Sequence, residues 1–242
     1  MTEFNLGAYE IFDCHAHFSN IENLGVTLAR RNVMFNTVEE YRMNVGELKT
    51  QDTCTLIFDI WQERDFILKE IESGKPSAVK LIPRDQRLGD KRFAEALLHL
   101  KSVPAHVPVF YDSFRHGHDM RYQPCLDHVI AIATQTPERA VIVSHAGGHQ
   151  LLDYFIHLRT LKNVYYDISL ILQYFYHSSI FTDIKNLIQQ TSKKQILFGS
   201  DYPWTSLLTQ LQIFMEIAED LSLDDAEVRS ILHDNCAAVL TT

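Results

Sequence analysis

Short runs of β-branched and aromatic residues alternate along the chain with stretches in which apolar residues return every three or four positions. The short runs, at 9–14, 54–60, 78–83, 108–111, 140–144, 164–168 and 195–199, each predict a strand. The segments between them, including 66–71, 92–100, 126–133, 184–188 and 207–217, predict helices, and 224–240 carries the spacing of a final helix that packs the end of the domain. Strands separated by crossover helices pair in parallel. The pattern therefore predicts an α/β fold, either an open doubly wound sheet or a closed barrel of strands ringed by helices.

Composition narrows this picture. The chain has 242 residues, 46% hydrophobic and 22% charged, which suits one globular domain over 1–242 with a full-sized core. With 31 acidic against 22 basic residues the formal charge is −9, which argues against a nucleic-acid partner. Apolar runs are far below the ~18 residues that span a bilayer, so no membrane partner is expected and the expected location is the cytoplasm. Cys14, Cys54, Cys125 and Cys236 form no C-x-x-C pair, which disfavours a thiolate zinc site and a disulfide framework.

Twelve histidines are many for this length, and what matters is where they fall. In a parallel barrel the loops after the carboxyl ends of the strands form the active face. Five apolar runs carry a reactive side chain at or near that end: Asp13-Cys14-His15-Ala16-His17, Lys80 in Val79-Lys80-Leu81, Asp112, His145 and Asp201. Alternation of side chains on a strand puts His15 and His17 on one side, about 6 to 7 Å apart, close enough to share a cation. Asp201 follows an apolar strand and precedes a proline, either as a ligand or as the cap of the next helix. His145 precedes Gly147-Gly148, whose small size permits close approach to a ligand; a core histidine bonded to a neighbouring strand is the alternative. Lys80, flanked by apolar residues, is expected inside the barrel, where it needs an acid, a substrate anion or a modification. The stretch from Arg115 and His116 to Arg121 is expected to overhang the active face. Phe18, Trp61, Tyr111, Tyr202 and Trp204 either line a ring-binding pocket or pack loops.

These endings, in this order, resemble the amidohydrolase superfamily, most closely the amidohydrolase-2 branch that includes relatives of aminocarboxymuconate semialdehyde decarboxylase. Phe12-Asp13-Cys14-His15-Ala16-His17-Phe18 is similar to that family's first-strand metal motif, Val79-Lys80-Leu81 to its fourth strand, Ser144-His145-Ala146-Gly147-Gly148 to its sixth and Phe198-Gly199-Ser200-Asp201-Tyr202-Pro203 to its eighth. The resemblance implies a (β/α)8 TIM barrel holding one or two divalent metals, with zinc first and manganese or iron as alternatives. It implies that His15 and His17 bind the metal, that Asp201 binds it or takes a proton from its water, and that His145 contacts the metal or substrate. Lys80 matches a position that some branches carboxylate to bridge two metals. A homodimer is the default assembly for such a chain.

Two features depart from that pattern. Pro108-Val109-Phe110-Tyr111-Asp112 places an aspartate where the family has a histidine, giving an oxygen donor in place of imidazole. Residues 18–79 show one strand, at 54–60, where two are required, so either 26–35 hides one or the barrel is short or distorted. The main expectation is metal-dependent hydrolysis of a small-molecule ester, amide or lactone through a metal-activated water, with Asp201, His145 and Lys80 as catalytic groups, a metal on His15, His17, Asp112, Asp201 and His145, and substrate held by Arg115, His116 and Trp204. The alternatives are non-oxidative decarboxylation of an aromatic or unsaturated acid at the same metal, and a barrel that binds without catalysis.

Overall fold

The computed structural model describes residues 9–18 and 28–241. Eight parallel strands form one sheet in sequence order: β1 (Ile11–His17), β2 (Leu28–Phe35), β3 (Thr53–Ile57), β4 (Ala78–Leu81), β5 (Val109–Asp112), β6 (Val141–Ser144), β7 (Val164–Asp167) and β8 (Ile196–Leu197). Helices fill the connections: α1 (Val38–Asn44), α2 (Ile60–Glu72), α3 (Asp90–Leu100), α4 (Leu126–Gln135), α5 (Leu151–Leu158), α6 (Ile171–Tyr174), α7 (Ser179–Gln190) and α8 (Leu207–Asp220). The chain ends in α9 (Asp225–Arg229), a wide turn and α10 (Asn235–Leu240) on the path predicted for the final helix. This is a nearly closed (β/α)8 barrel. Among the described residues no helix is long and apolar enough to cross a membrane.

The strand absent from the hydropathy pattern is β2, so the barrel is not short. Its sequence, Leu-Ala-Arg-Arg-Asn-Val-Met-Phe, hides it because three polar residues sit in its middle. Each of the buried ones has a partner: Arg31 pairs with Asp52 at 2.9 Å, and Asn32 donates to the Cys14 carbonyl and to Thr55 Oγ1. Burial of polar groups is tolerated where their hydrogen bonds are made. The other misplacement is small: β1 runs on to His17, past the apolar stretch that signals it.

Alternation along the strands sorts two cores. Val79, Leu81, Val109, Tyr111, Val141 and Val143 face the helices, whereas Ala78, Phe110, Ile142 and Leu197 face the barrel axis with Phe12 and Met34. Cys236, Val239 and Leu240 of the last helix pack against this inner set. Lys80 shares the face of Ala78, and Asp112 that of Phe110, so both point inward as alternation requires.

The seam between β8 and β1 lacks a regular ladder. It is held by one bridge, Ala16 to Tyr202, and by the backbone bonds Cys14 N to Phe198 O at 3.0 Å, Asp201 N to His15 O at 2.6 Å and His17 N to Tyr202 O at 2.8 Å. β1 also slips register against β2 between Asp13 and Ala16. A bulge of this kind re-aims side chains, and here it lies across the histidine motif.

Candidate metal centre

β1 and the extension of β8 bring three donors together. His15 Nε2 lies 3.4 Å and His17 Nε2 3.1 Å from Asp201 Oδ1, and the imidazole centroids are 5.6 Å apart. Asp201 reaches this position because its backbone is left-handed (φ +60) and its N–H donates to the His15 carbonyl. Gly199 makes the approach possible. A Cβ there would stand 3.0 Å from His15 Cβ and from Ser169 Cβ and 3.1 Å from Cys14 Sγ.

Two donors bound ~2.0 to 2.1 Å from one tetrahedral ion lie ~3.3 Å apart. The two imidazole Nε2 distances to Asp201 Oδ1 match that spacing, and one ligand atom from each of the three residues lies within 4.8 Å of the others. A second group, His15, His145 and Asp167, meets the same limit. There, however, His15 Nδ1 and Asp167 Oδ2 are only 2.6 Å apart, the separation of a strong hydrogen bond rather than of two ligands on one ion.

Asp167 is an addition to the residues singled out from the sequence. It ends the apolar run Val164-Tyr165-Tyr166 as Asp112 ends its own, so the signal that finds it is the same. Burial pushes its carboxyl up, but the His15 ring, its hydrogen bond and His145 outweigh this and hold it below the usual range. An ionised carboxylate only accepts, so the proton sits on His15 Nδ1 and the lone pair on Nε2, toward Asp201. Burial first, and Lys80 second, lower the His15 pKa to about 4, which keeps the ring neutral. A metal-ligating imidazole needs this arrangement.

Lys80, 2% exposed, places Nζ 3.2 Å from His15 Nε2 and donates to the same lone pair. Asp112 accepts the Phe114 N–H at 3.1 Å. Burial raises its carboxyl, but Lys80, His145 and Arg84 bring the net shift below the usual range. It thus serves as a counter-charge to Lys80 and stands outside both ligand groups. His145 stacks 4.9 Å from His15 and directs Nδ1 at the Ser169 carbonyl, 3.1 Å away. A carbonyl cannot donate, so the proton is on Nδ1 and Nε2 is the accepting end. The turn that carries it is unusual: His145, Ala146, Gly147 and Gly148 all have positive φ. Such strain gathers at functional sites.

Asp13, within the same motif, faces β8. It accepts the Ser200 N–H at 2.7 Å and the Ser200 hydroxyl at 2.5 Å, and burial raises its pKa to about 7.

The loop residues expected to hold substrate are less convergent. Arg115 spends its guanidinium on the Pro124 carbonyl, His116 is exposed beside Arg84, and Trp204 is 75% exposed. Tyr111 packs in the core on the helix-facing side, its hydroxyl between His128 Nδ1 and the Cys125 N–H. Two rings approach the site: Phe110, 6.2 Å from His15, and Phe114, 5.8 Å from His145 and backed by Tyr174 and Phe175.

Comparison with known proteins gives one family match: the model described as amidohydrolase covers residues 103–241, from ahead of β5 to the end of α10. The histidine pair of β1 lies outside that stretch. No curated protein matches the chain. Among solved structures, an uncharacterized TIM-barrel protein from Bordetella bronchiseptica superposes with a TM-score of 0.70 at 16% identity, covering 88% of this chain and 78% of its own. A 2,6-dihydroxybenzoate decarboxylase from Rhizobium gives 0.63 at 10% identity, covering 96% and 99%. The dihydroorotase of Saccharomyces cerevisiae, solved with 5-fluoroorotic acid, gives 0.64 at 12% identity, covering 99% and 85%. At these identities the likeness is one of fold.

Proposed function

We infer, since this chain belongs to the amidohydrolase family, that it is a metal-dependent hydrolase of a small-molecule ester, amide or lactone. The observation that carries this reading is the convergence of His15 Nε2, His17 Nε2 and Asp201 Oδ1 at ligand spacing on the mouth of the barrel. Two imidazoles and a carboxylate suit zinc first, with manganese and iron as alternatives. A divalent cation held there would supply Lewis acidity toward a carbonyl and bring the pKa of a coordinated water toward ~7.

The remaining work falls to side chains of the chain. Asp201 turns Oδ1 to the two imidazoles, which leaves Oδ2 to carry a proton to the leaving group. His145 Nε2 is the accepting end of a fixed ring and can take a hydrogen bond or proton from substrate. Lys80, with Asp112 as counter-charge, places a cation beside His15 where negative charge on a carbonyl oxygen would develop. His116 and Trp204, exposed on the loops after β5 and β8, are the candidates for holding the rest of the substrate, and Arg115 joins them only by giving up its bonds to the Pro124 carbonyl.

One observation favours a second reaction at the same centre, non-oxidative decarboxylation of an aromatic acid. Phe114, Tyr174 and Phe175 form an edge-to-face wall against His145, a surface suited to a planar ring.

The test is a hydrolysis screen of esters, amides and lactones with chelator-stripped protein, with and without added Zn2+, beside Asp201→Asn. Activity that needs the metal and falls about 100-fold or more in Asp201→Asn is expected, since general acid–base groups contribute about 10² to 10⁴. Metal-independent turnover, or carbon dioxide release from aromatic acids without any hydrolysis, would overturn the hydrolase reading.

A further inference from the structure

The two histidines of the centre are oriented differently. His15 has an acceptor, Asp167, on Nδ1, so its lone pair is on Nε2, where Lys80 Nζ donates to it and where a cation would replace that hydrogen bond. His17 faces Asn36, which follows β2, at 3.4 Å between Nδ2 and Nδ1. In that orientation the amide donates, His17 Nδ1 accepts, and the proton of the neutral ring is on Nε2, directed at Asp201 Oδ1. A ring in that tautomer cannot ligate through Nε2.

The other end of the same amide supplies the remedy. Asn36 Oδ1 is buried and has no hydrogen-bond partner among the described residues. Rotating the amide by half a turn exchanges oxygen and nitrogen and sets the oxygen against His17 Nδ1. With a cation on Nε2 the ring proton must move to Nδ1, and an unturned amide would then oppose N–H to N–H. The backbone of Asn36 is held in place while the side chain turns, because its N–H donates to Glu40 Oε2 at 3.0 Å and Glu40 N in turn is capped by Thr37.

We propose that Asn36 is the positioning residue for His17, its side-chain amide turning over on metal binding so that Oδ1 accepts from His17 Nδ1–H as Asp167 does for His15. The inference rests on the metal-centre reading above. It explains why an amide rather than a carboxylate suits this position: one side chain serves the ring in both tautomers.

The test is Zn2+ affinity, measured by competition with a chelating dye, for the parent chain, Asn36→Leu and Asn36→Asp, with circular dichroism of the metal-free proteins to establish folding. Loss of such an outer partner costs about 10- to 100-fold in metal affinity. Asn36→Leu is therefore expected to bind that much more weakly, and Asn36→Asp at least as tightly as the parent. Equal affinity in Asn36→Leu, or equal weakening in both variants, would overturn the proposal while leaving the metal centre intact. A parent that binds no Zn2+ would overturn both. The ring nitrogens of His17 give a second readout independent of the variants: by 15N chemical shift the proton should move from Nε2 to Nδ1 when Zn2+ is added to the parent. A proton already on Nδ1 without metal would refute the turning amide.

Discussion

Among single residues, the centre keeps two buried groups away from their ordinary protonation. His15 is held near 4, below its usual 6.5, and Asp13 near 7, above its usual 3.8. The signs oppose. A histidine with a depressed folded pKa stabilises the fold above 6.5, and that contribution is lost as pH falls toward 4. A carboxyl with a raised folded pKa stabilises the fold below 3.8, and that contribution is lost as pH rises through 7. Between about 4 and 6.5 the two contributions offset each other, so the stability of the metal-free protein in urea should vary little there and fall only slightly from 6.5 to about 7. Asp13→Asn removes the offset, so in that variant stability should decline as pH falls from 6.5 toward 4. Parallel profiles for the two proteins would show that Asp13 does not titrate as its burial implies. The strand-end rule exposed His15, His17, Asp112, His145 and Asp201 in the sequence, and it applies equally to Asp167. Asn36 had no such signal, because a lone asparagine after a strand is ordinary turn chemistry.

Among elements, strand identity was legible wherever a buried strand carried at most one polar residue in a short apolar run, as in β4 to β7. It failed at β2, where buried Arg31 pairs through Nε with Asp52 and buried Asn32 donates to the Cys14 carbonyl and Thr55. Partners far along the chain are invisible to periodicity. The same holds for the seam, where the bulge in β1 and the extended stretch after β8 hold each other through three backbone bonds. Gly199 is the contact point, and a methyl group there would press on His15, Ser169 and Cys14 at 3.0 to 3.1 Å. Gly199→Ala is therefore expected to cost about 1 to 3 kcal/mol, the usual range for overpacking, and to weaken metal binding by displacing His15. Unfolding curves and dye competition on the same preparation check both. Unchanged stability and affinity would mean that the seam relaxes freely.

In the molecule as a whole, the barrel explains why residues 15, 17, 36, 80, 145, 167 and 201 meet. Each lies at or close to the carboxyl end of its strand, and closure of the sheet brings β1 beside β8. The α/β class and the five reactive strand ends were available from pattern and spacing, whereas the choice of a closed barrel over an open sheet came from the family resemblance. The substrate was not, because the loops that choose it follow no period and here commit Arg115 to the Pro124 carbonyl rather than to the mouth. Every functional statement above depends on His15, His17 and Asp201 holding a divalent cation. The decisive experiment is metal content by elemental mass spectrometry on tag-free protein dialysed against Zn2+, beside His15→Ala and His17→Ala. About one ion per chain is expected in the parent, as for a mononuclear catalytic site, and little in either variant. No bound metal in the parent, or the same content in all three, would contradict the assignment of these three residues as ligands.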